Sequence, residues 1–308
     1  VAEKWYRDFD GDGDGNPAIS VISCEQPMGF SENSLDCNDM DPDIFYRSQI
    51  CNLTLINEAL LVTPFQTQFD PILQFDVVNG MDFGRSVASH NNTVIIGAPG
   101  FELSSGSKLG VVYVFTRDDN LLPLQQILIP TVVIEDSRFG FSIDIYDDYI
   151  VVGEPDGGVS GLVHIFERTG TTWTQIETIT PSISTILFGQ AVAINENLTI
   201  VVGANETALT FVRTGPTTWI ETSNFQSSDH SGGFDEFGVS VAINDDGARI
   251  VVGAPSFDAA YVFLHTGVVS IELQKLVGSD TVSGDNFGRS VAIDDDGKRI
   301  VIGANTNS

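Results

Sequence analysis

The chain has 308 residues, of which 42% are hydrophobic, enough apolar material for the core of one repeat domain with a small appendage. Its 14 Lys and Arg residues against 42 Asp and Glu residues give a formal net charge of −28. Such a surface repels polyanions, which excludes nucleic acid and anionic membranes as primary partners. The sequence has no apolar run of about 18 residues, so we expect no membrane insertion. Because it begins with Val1 rather than Met, we expect a processed or cropped product.

Residues 1–52 form the first predicted domain, an acidic module that we expect to bind calcium. Carboxylates alternate with other residues over 8–14, and the glycines between them permit the tight backbone curl of a calcium loop. An EF-hand is excluded, because the loop position that needs Glu holds Ile19 or Val21 in the two registers. A second acidic cluster over 36–43 supplies further oxygens.

The expected ligands of this module are carboxylates and one amide. They are Asp8, Asp10, Asp12, Asp14, Asp36, Asn38, Asp39 and Asp41. Ca²⁺ is favoured over Mg²⁺, because many carboxylates on a flexible loop suit a larger coordination number.

All three cysteines, Cys24, Cys37 and Cys51, also lie in this module. Their clustering indicates a local disulfide framework or metal ligation, and the acidic surroundings favour the disulfide. We expect a Cys24–Cys37 bridge, which closes a loop rich in Gly, Pro and Asn and holds the two acidic clusters near each other. Cys51 is then left over, either free or bonded to another chain.

The second predicted domain, residues 53–308, is organised by a repeated Phe-Gly motif with a period of about 50 residues. The five copies begin at Phe83, Phe139, Phe188, Phe237 and Phe287. Each repeat contains short apolar runs, which in the fourth copy lie at 239–243, 249–252, 260–263 and 271–276. This pattern predicts an all-β fold, a β-propeller of four-stranded blades, in which four blades are complete and a fifth stops after two strands.

The N-terminal part of this domain bears on how the propeller closes. Residues 72–77 resemble a fourth strand. N-terminal strands therefore complete the fifth blade and close a five-bladed ring, or the chain belongs to a longer propeller, or a neighbouring subunit completes its open end. Closure within the chain is favoured, because it hides the sheet edges.

The repeated residues are interpreted as scaffold rather than as ligand-binding residues. A glycine follows each β-branched run and lets adjacent sheets approach, and the repeated Phe is expected to wedge between blades. The Asp-Gly sequences at 244–247 and 294–297 are expected to form tight hairpin turns rather than metal loops.

Two resemblances add to this interpretation. Residues 5–17, 24–30 and 36–42 are similar to a metal-binding motif of bacterial surface proteins, close in style to thrombospondin type 3 calcium repeats. The motifs F-G-x-S-V-A, G-A-P, Y-V-F and T-G-x-x-W resemble FG-GAP repeats, relatives of the integrin α-subunit propeller. These resemblances imply an extracellular, calcium-binding spacer followed by a propeller, usually of seven blades, typical of secreted or surface proteins that adhere or assemble.

Four N-glycosylation sequons begin at Asn52, Asn91, Asn197 and Asn205. Asn91 and Asn197 hold equivalent places in their repeats, where other copies have Asp or Gly. We therefore expect both to occupy a left-handed turn position, which is compatible with an exposed glycan.

The sequence has no nucleophile elbow, phosphate-binding loop or metal-type His spacing, and we predict that the chain is not an enzyme. The leading hypothesis is an extracellular structural or adhesive propeller, a subunit of a surface or fibrous assembly. Its expected partners are other copies of itself or surface proteins and glycans. The alternatives are a monomeric module that recognises glycan or protein and an enzyme acting on polysaccharide.

Overall fold

The computed structural model describes residues 3–7, 16–23, 30–31, 81–102, 108–117, 122–230 and 236–306. The chain divides into two compact units, Val1–Leu61 and Val62–Ser308. The expected domain boundary after residue 52 lies outside the described residues and stays a prediction.

The first unit contains a small antiparallel sheet. Its strands are β1 (Glu3–Arg7), β2 (Asn16–Ser23) and β3 (Phe30–Ser31), in the order β2-β1-β3. The β1–β2 ladder is regular until its register shifts between Tyr6 and Arg7, beside the acidic segment that links the two strands.

The described residues of the second unit form five antiparallel sheets, each made of strands that are consecutive in the sequence. Sheet 1 has β4 (Ser86–His90), β5 (Thr93–Ala98), β6 (Val111–Thr116) and β7 (Leu124–Leu128). Sheet 2 has β8 (Ser142–Tyr146), β9 (Tyr149–Glu154), β10 (Leu162–Thr169) and β11 (Thr172–Ile179). Sheet 3 has β12 (Ala191–Ile194), β13 (Thr199–Ala204), β14 (Thr207–Gly215) and β15 (Thr218–Phe225). Sheet 4 has β16 (Ser240–Ile243), β17 (Arg249–Ala254), β18 (Ala259–His265) and β19 (Ser270–Leu276), and sheet 5 has β20 (Ser290–Ile293) and β21 (Ile300–Gly303).

The second strand of a central sheet is buried on both faces. All six residues of β13 are buried, whereas the outer strand β15 mixes buried and exposed positions. Because neighbouring sheets cover both faces of an inner strand, its sequence is a continuous β-branched run instead of an alternation of polar and apolar residues.

Each four-stranded sheet has a bulge at the same place, immediately before the aromatic residue of its third strand. The register against the fourth strand shifts at Val114/Phe115, Ile165/Phe166, Thr210/Phe211 and Val262/Phe263. A bulge increases the local right-handed twist of a strand. The shared bulge therefore adds a similar twist to each of the four-stranded sheets. Sheets of similar twist can pack face to face as successive blades.

Successive sheets pack with their first strands side by side: β4 lies beside β8, β8 beside β12, β12 beside β16 and β16 beside β20. Phe139 is fully buried in the core between sheets 1 and 2, in one cluster with Ile95, Val114 and Trp173. Phe188 and Phe237 are also fully buried, in the next two inter-sheet clusters. The prediction that this Phe wedges between blades is confirmed at these three positions.

A short stretch of left-handed backbone directs each of these Phe rings into the core between two sheets. The residue before every Phe-Gly pair has a φ between 51° and 60°, and the glycine after the Phe has a φ between 84° and 99°. The residues before the pairs are Asp82, Arg138, Leu187, Glu236 and Asn286. Left-handed backbone on both sides of one residue reverses the chain sharply, and the glycine is needed because it carries no Cβ.

The expected strands of the repeats are confirmed, as are four full sheets followed by a two-stranded one. The fold is all-β and propeller-like, and the helical structure in the described ranges is the single 3-10 turn Pro255–Phe257. The strand expected at 72–77 lies outside those ranges, so closure of the propeller stays a prediction. None of the described segments forms a helix with the length and apolarity needed to cross a bilayer.

Candidate functional site

The antiparallel strand order separates the loops of the second unit into two ends. The connection end carries the turns between second and third strands and the connections from one sheet to the next. The hairpin end carries the turns between first and second strands and between third and fourth strands. Loops at the ends of a rigid β scaffold are where binding residues usually lie, so each end was a candidate surface.

The repeat motif itself joins successive sheets at the connection end. The Ser86 hydroxyl donates a hydrogen bond of 2.8 Å to the Gly140 carbonyl oxygen. Equivalent bonds run from Ser142 to Gly189 (2.7 Å) and from Ser240 to Gly288 (2.9 Å). In four sheets, the glycine after the β-branched run also faces the carbonyl oxygen of the Phe-Gly glycine in the next sheet. A Cβ at this position would strike that oxygen. These glycines are Gly97, Gly153, Gly203 and Gly253. The motif therefore serves packing, as predicted.

Three cavities of the described part lie at the connection end. The largest of these three has a volume of about 790 Å³ and is lined from sheets 1 and 2. Two smaller ones, of about 360 Å³ and about 270 Å³, are lined by residues 256–258 with 277–283 and by residues 183–186 with 205–207. A concave surface that converges polar groups is the default binding site of an uncharacterised fold. The connection end is therefore the candidate binding surface.

Cationic side chains gather around the largest cavity. Arg85, Lys108 and Arg138 line it together with Asp82 and Asp136. The whole chain has 14 Lys and Arg residues against 42 acids, so three cations around one cavity depart from the character of the remaining surface. Sequence reasoning missed this group, because the residues are far apart in the chain and only the packing of sheet 1 on sheet 2 brings them together.

An aromatic ring orders two of these cations. The guanidinium carbon of Arg85 lies 4.4 Å from the centre of the Phe141 ring, and that of Arg138 lies 4.5 Å from it. Arg138 also forms an ion pair with Asp156. Phe141 and Arg85 hold the same repeat position, after the Phe-Gly pair of their sheets. The stacking therefore links equivalent residues of neighbouring sheets.

The hairpin end has the opposite character, because its turns carry carboxylates. The turns of sheets 2 to 5 contain Asp147, Asp148, Glu196, Asp245, Asp246, Asp294, Asp295 and Asp296. Neighbouring turns touch: the backbone N–H of Asp245 donates to the Asp295 carbonyl oxygen at 3.2 Å. Burial raises the pKa of Asp245, and the nearby Asp295 carboxylate raises it further. His90 lies 3.0 Å from the Asp147 carboxylate and is a basic neighbour at this end.

The carboxylates of the Asp-Gly turns are used by the backbone. The Asp294 carboxylate accepts hydrogen bonds of 2.8 Å from the backbone N–H groups of Lys298 and Arg299, and the Arg299 bond lowers the pKa of Asp294. Asp246 likewise accepts from the Ala248 N–H at 2.7 Å, and Gly247 is left-handed. The prediction that these sequences form hairpin turns is confirmed.

Asp144 is a half-buried carboxyl group on the first strand of sheet 2. It accepts hydrogen bonds from the backbone N–H groups of Ile194 (2.8 Å) and Ile145 (2.9 Å). Burial raises the pKa of Asp144 to about 6, an effect that these bonds and the charge of His90 partly offset. The equivalent residues of the other sheets are alanines: Ala88, Ala193, Ala242 and Ala292. The departure from alanine is the sequence signal that marks this position.

A buried polar network lies inside sheet 2. The imidazole Nε2 of His164 lies 2.6 Å from the Glu154 carboxylate, whose other oxygen accepts a hydrogen bond from the Ser137 hydroxyl. The imidazole Nδ1 contacts Gln175 at 3.0 Å and Thr178 at 3.2 Å. The side chains of Glu154 and His164 are 0% and 3% exposed, so the network is a structural element with no open access to a ligand.

The predicted calcium ligands lie outside the described residues. The same is true of the Cys24–Cys37 bridge, of Cys51 and of the sequon at Asn52. Among the described side chains, no group of three or more His, Cys, Asp or Glu residues is arranged to hold a metal ion. The calcium and disulfide expectations therefore stay predictions.

The three described sequons lie in turns or beside them. Asn91 has a left-handed φ of 52° and is exposed, as expected for its turn. The same expectation is wrong for Asn197, because the left-handed residue of that turn is Leu198 (φ 56°). Asn197 is nevertheless exposed, and its amide lies 3.4 Å from the Asp246 carbonyl oxygen. Asn205 borders a connection-end cavity and is half-buried.

Comparison with known families supports the repeat assignment. The profile of the FG-GAP repeat family matches residues 67–115, 219–263 and 271–308, together less than half of the chain. No curated protein sequence matches the chain.

Solved structures share the fold at low identity. A protein from Lactobacillus plantarum matches at a TM-score of 0.52 and 8% identity over 71% of this chain and 63% of that one. A functionally unknown protein from Desulfotomaculum acetoxidans DSM 771 matches at 0.53 and 14%, over 74% and 64%. A protein from Bacteroides fragilis NCTC 9343, described as a "putative 6-phosphogluconolactonase", matches at 0.52 and 14%, over 72% and 64%. This chain thus spans less than two thirds of each of these proteins.

The last of these structures corrects one expectation. The prediction that the chain is not an enzyme is wrong as a conclusion from missing motifs, because the same fold occurs in a protein described as a "putative 6-phosphogluconolactonase". At 14% identity the likeness concerns the fold alone and assigns no activity to this chain. The family matches and the repeated four-stranded sheets together support FG-GAP repeats in a propeller-like fold.

Proposed function

We propose that this protein is an extracellular, calcium-stabilised propeller with a structural or adhesive role, acting as a subunit of a surface or fibrous assembly. FG-GAP repeats occur in extracellular and surface proteins, which supports the location. The observation that carries the role is the connection-end cavity with Arg85, Lys108 and Arg138 on a chain of net charge −28. A local group of cations on an acidic molecule makes a specific contact surface for an acidic partner.

The assembly is tested on the protein as it exists in solution. Sedimentation and electron microscopy at low ionic strength should show oligomers or fibres, and salt should dissociate them because contacts between exposed charges are screened. A single monomeric species at every protein and salt concentration would contradict the assembly. Combined with saturable binding of a glycan or protein, that result would instead establish the second candidate, a monomeric recognition module, which the cavities also favour.

Calcium binding by the first unit is part of the same proposal. Carboxylates alternating with glycines are typical of a calcium loop, in which the carboxylates supply oxygen ligands and the glycines permit the turn. A metal ion that binds only the folded state stabilises that state. Removal of calcium with a chelator should lower the melting temperature and expose residues 1–50 to proteolysis, and added Ca²⁺ should reverse both effects better than Mg²⁺. An unchanged melting curve together with an unchanged digestion pattern would sink the calcium proposal.

Glycosylation at Asn52, Asn91, Asn197 and Asn205 completes the proposal. Glycans at Asn91 and Asn197 would cover the hairpin end of the stack, whereas a glycan at Asn205 would stand beside a connection-end cavity. The intact mass of the native protein before and after enzymatic removal of N-glycans tests this directly. An unchanged mass would remove glycosylation from the proposal without affecting the other parts.

A further inference from the structure

We propose that the cavity between sheets 1 and 2 binds a carboxylate of an acidic polypeptide segment, and that the Arg85 guanidinium is its anchor. The inference deepens the proposed function, on which it rests, by naming the chemistry that the connection end recognises.

Arg85 is oriented by an aromatic ring, and the described residues include no acidic partner for it. Its guanidinium lies 4.4 Å from the centre of the Phe141 ring. A stacked guanidinium keeps its N–H groups in the plane and available, and their fork matches a carboxylate. Arg138 pairs with Asp156, and Lys108 lies 3.9 Å from Glu102. Within the described ranges no ion pair involves Arg85.

The charge of the lining suits a single negative charge. Asp82 and Asp136 line the cavity beside the three cations, and Asp156 and Glu102 already pair with Arg138 and Lys108, so the positive charge of Arg85 is the one in the lining without an acidic partner among the described residues. A carboxylate would neutralise that charge. A phosphate, with a charge between about −1.5 and −2, would exceed it and meet the two lining carboxylates. The balance therefore favours a carboxylate over a phosphate.

The lining also favours a polypeptide over an acidic sugar. Two guanidinium groups already lie over the Phe141 ring, at 4.4 and 4.5 Å from its centre. A sugar that stacked on this ring would have to displace one of them, whereas a carboxylate reaches Arg85 from the cavity. Acidic segments of the required kind are abundant in this chain itself, for example over residues 8–15, so a second copy is a ready source of the ligand.

The test uses the full-length protein and a synthetic peptide with the sequence of residues 8–15, in chelator-containing buffer of low ionic strength. Titration calorimetry should show binding of the Asp peptide and none of the same peptide with Asn in place of every Asp. Arg85→Ala should weaken binding between about tenfold and a hundredfold, the loss expected for a hydrogen-bonded charge. Phe141→Gln, with the residue that sheet 3 has at this position (Gln190), should also weaken it, because the stacked guanidinium loses its support.

The matched control is Arg289→Ala. Arg289 stands in the same Phe-Gly-Arg-Ser sequence of sheet 5 and is also exposed, but it does not line the cavity. This variant should bind the peptide like wild type, and a melting curve of each variant verifies its fold. Equal binding by wild type and Arg85→Ala, or equal binding of the Asp and Asn peptides, would overturn the inference. Binding of a uronic-acid oligosaccharide without binding of the peptide would overturn it too.

The inference and the proposed function fail separately. If the wild-type protein assembles but does not bind the peptide, the carboxylate site is wrong and the structural role stands. If the peptide binds at Arg85 while the protein stays monomeric, the site stands and the self-assembly is wrong.

Discussion

Replacement of one member of the buried Glu154–His164 pair should destabilise the protein far more than replacement of both. The two side chains are 0% and 3% exposed and lie 2.6 Å apart. Sheet 3 has Ala204 and Leu209 at the equivalent positions, and both are fully buried. Glu154→Ala, His164→Leu and the double variant therefore form a cycle in which the end point is an apolar arrangement that this same fold already uses.

The expected magnitudes follow from what each change leaves behind. His164→Leu leaves a buried carboxylate with only the Ser137 hydroxyl, and Glu154→Ala leaves a buried imidazole without its carboxylate. Breaking a buried pair in this way costs about 3–5 kcal/mol, whereas an apolar replacement of the whole pair is often neutral. In the double variant, the Ser137 hydroxyl can donate its hydrogen to the Ile134 carbonyl oxygen, which lies 2.7 Å away. The double variant should therefore be more stable than either single variant.

Urea unfolding followed by tryptophan fluorescence measures the cycle, because Trp173 belongs to the core cluster between sheets 1 and 2. The urea midpoints are compared among variants whose free energy of unfolding depends equally steeply on urea concentration. A shift of the midpoint then reports a change in stability. A coupling energy of about 3 kcal/mol or more is expected between the two sites. Additive losses, or single variants that lose less than about 1 kcal/mol, would refute it.

Two other changes test the packing and the titration of the stack. Gly253→Ala should lower the free energy of unfolding by about 1–3 kcal/mol, because the added Cβ strikes the Gly288 carbonyl oxygen. Gly303→Ala should lower it less, because the described obstacle there is a side chain. Equal losses for the two variants in urea unfolding would contradict the collision with the backbone. Burial raises the pKa of Asp144 from 3.8 to about 6 in the folded state. Between these two pH values the folded state binds more protons than the unfolded state, so the free energy of unfolding should fall as the pH rises. Asp144→Asn should remove this contribution to the slope, and thermal melts with an unchanged slope between these pH values would count against it.

Much of the scaffold was predictable from the sequence, because its determinants are local and repeated. A period of about 50 residues with four short apolar runs specifies four-stranded sheets in succession. The Phe-Gly pair encodes its own geometry, since glycine is the residue that accepts a φ near 90° after the buried ring. The Asp-Gly turns at 244–247 and 294–297 were predictable for the same reason, because a turn depends on a few adjacent residues.

The turn of sheet 3 marks the limit of such local reasoning. Asn197 and Leu198 are adjacent, and the left-handed position falls on the leucine although asparagine tolerates it better. The side chain of the preceding Asn195 accepts a hydrogen bond of 2.9 Å from the Thr199 N–H and reaches the neighbouring sheet, where its amide donates to the Asp245 carbonyl oxygen at 2.9 Å. The turn therefore follows contacts with sheet 4 in preference to the propensity of its own residues.

The sequence by itself determined the repeat, the β class and the packing role of the Phe-Gly motif. Only the tertiary structure decided which side chains meet across the sheets. Arg85 reaches Phe141, and Asp144 accepts the N–H of Ile194, because the first strands of successive sheets lie side by side. These partners stand about one repeat apart in the chain, and a motif that recurs in every repeat carries no information about which side chains meet at one particular interface.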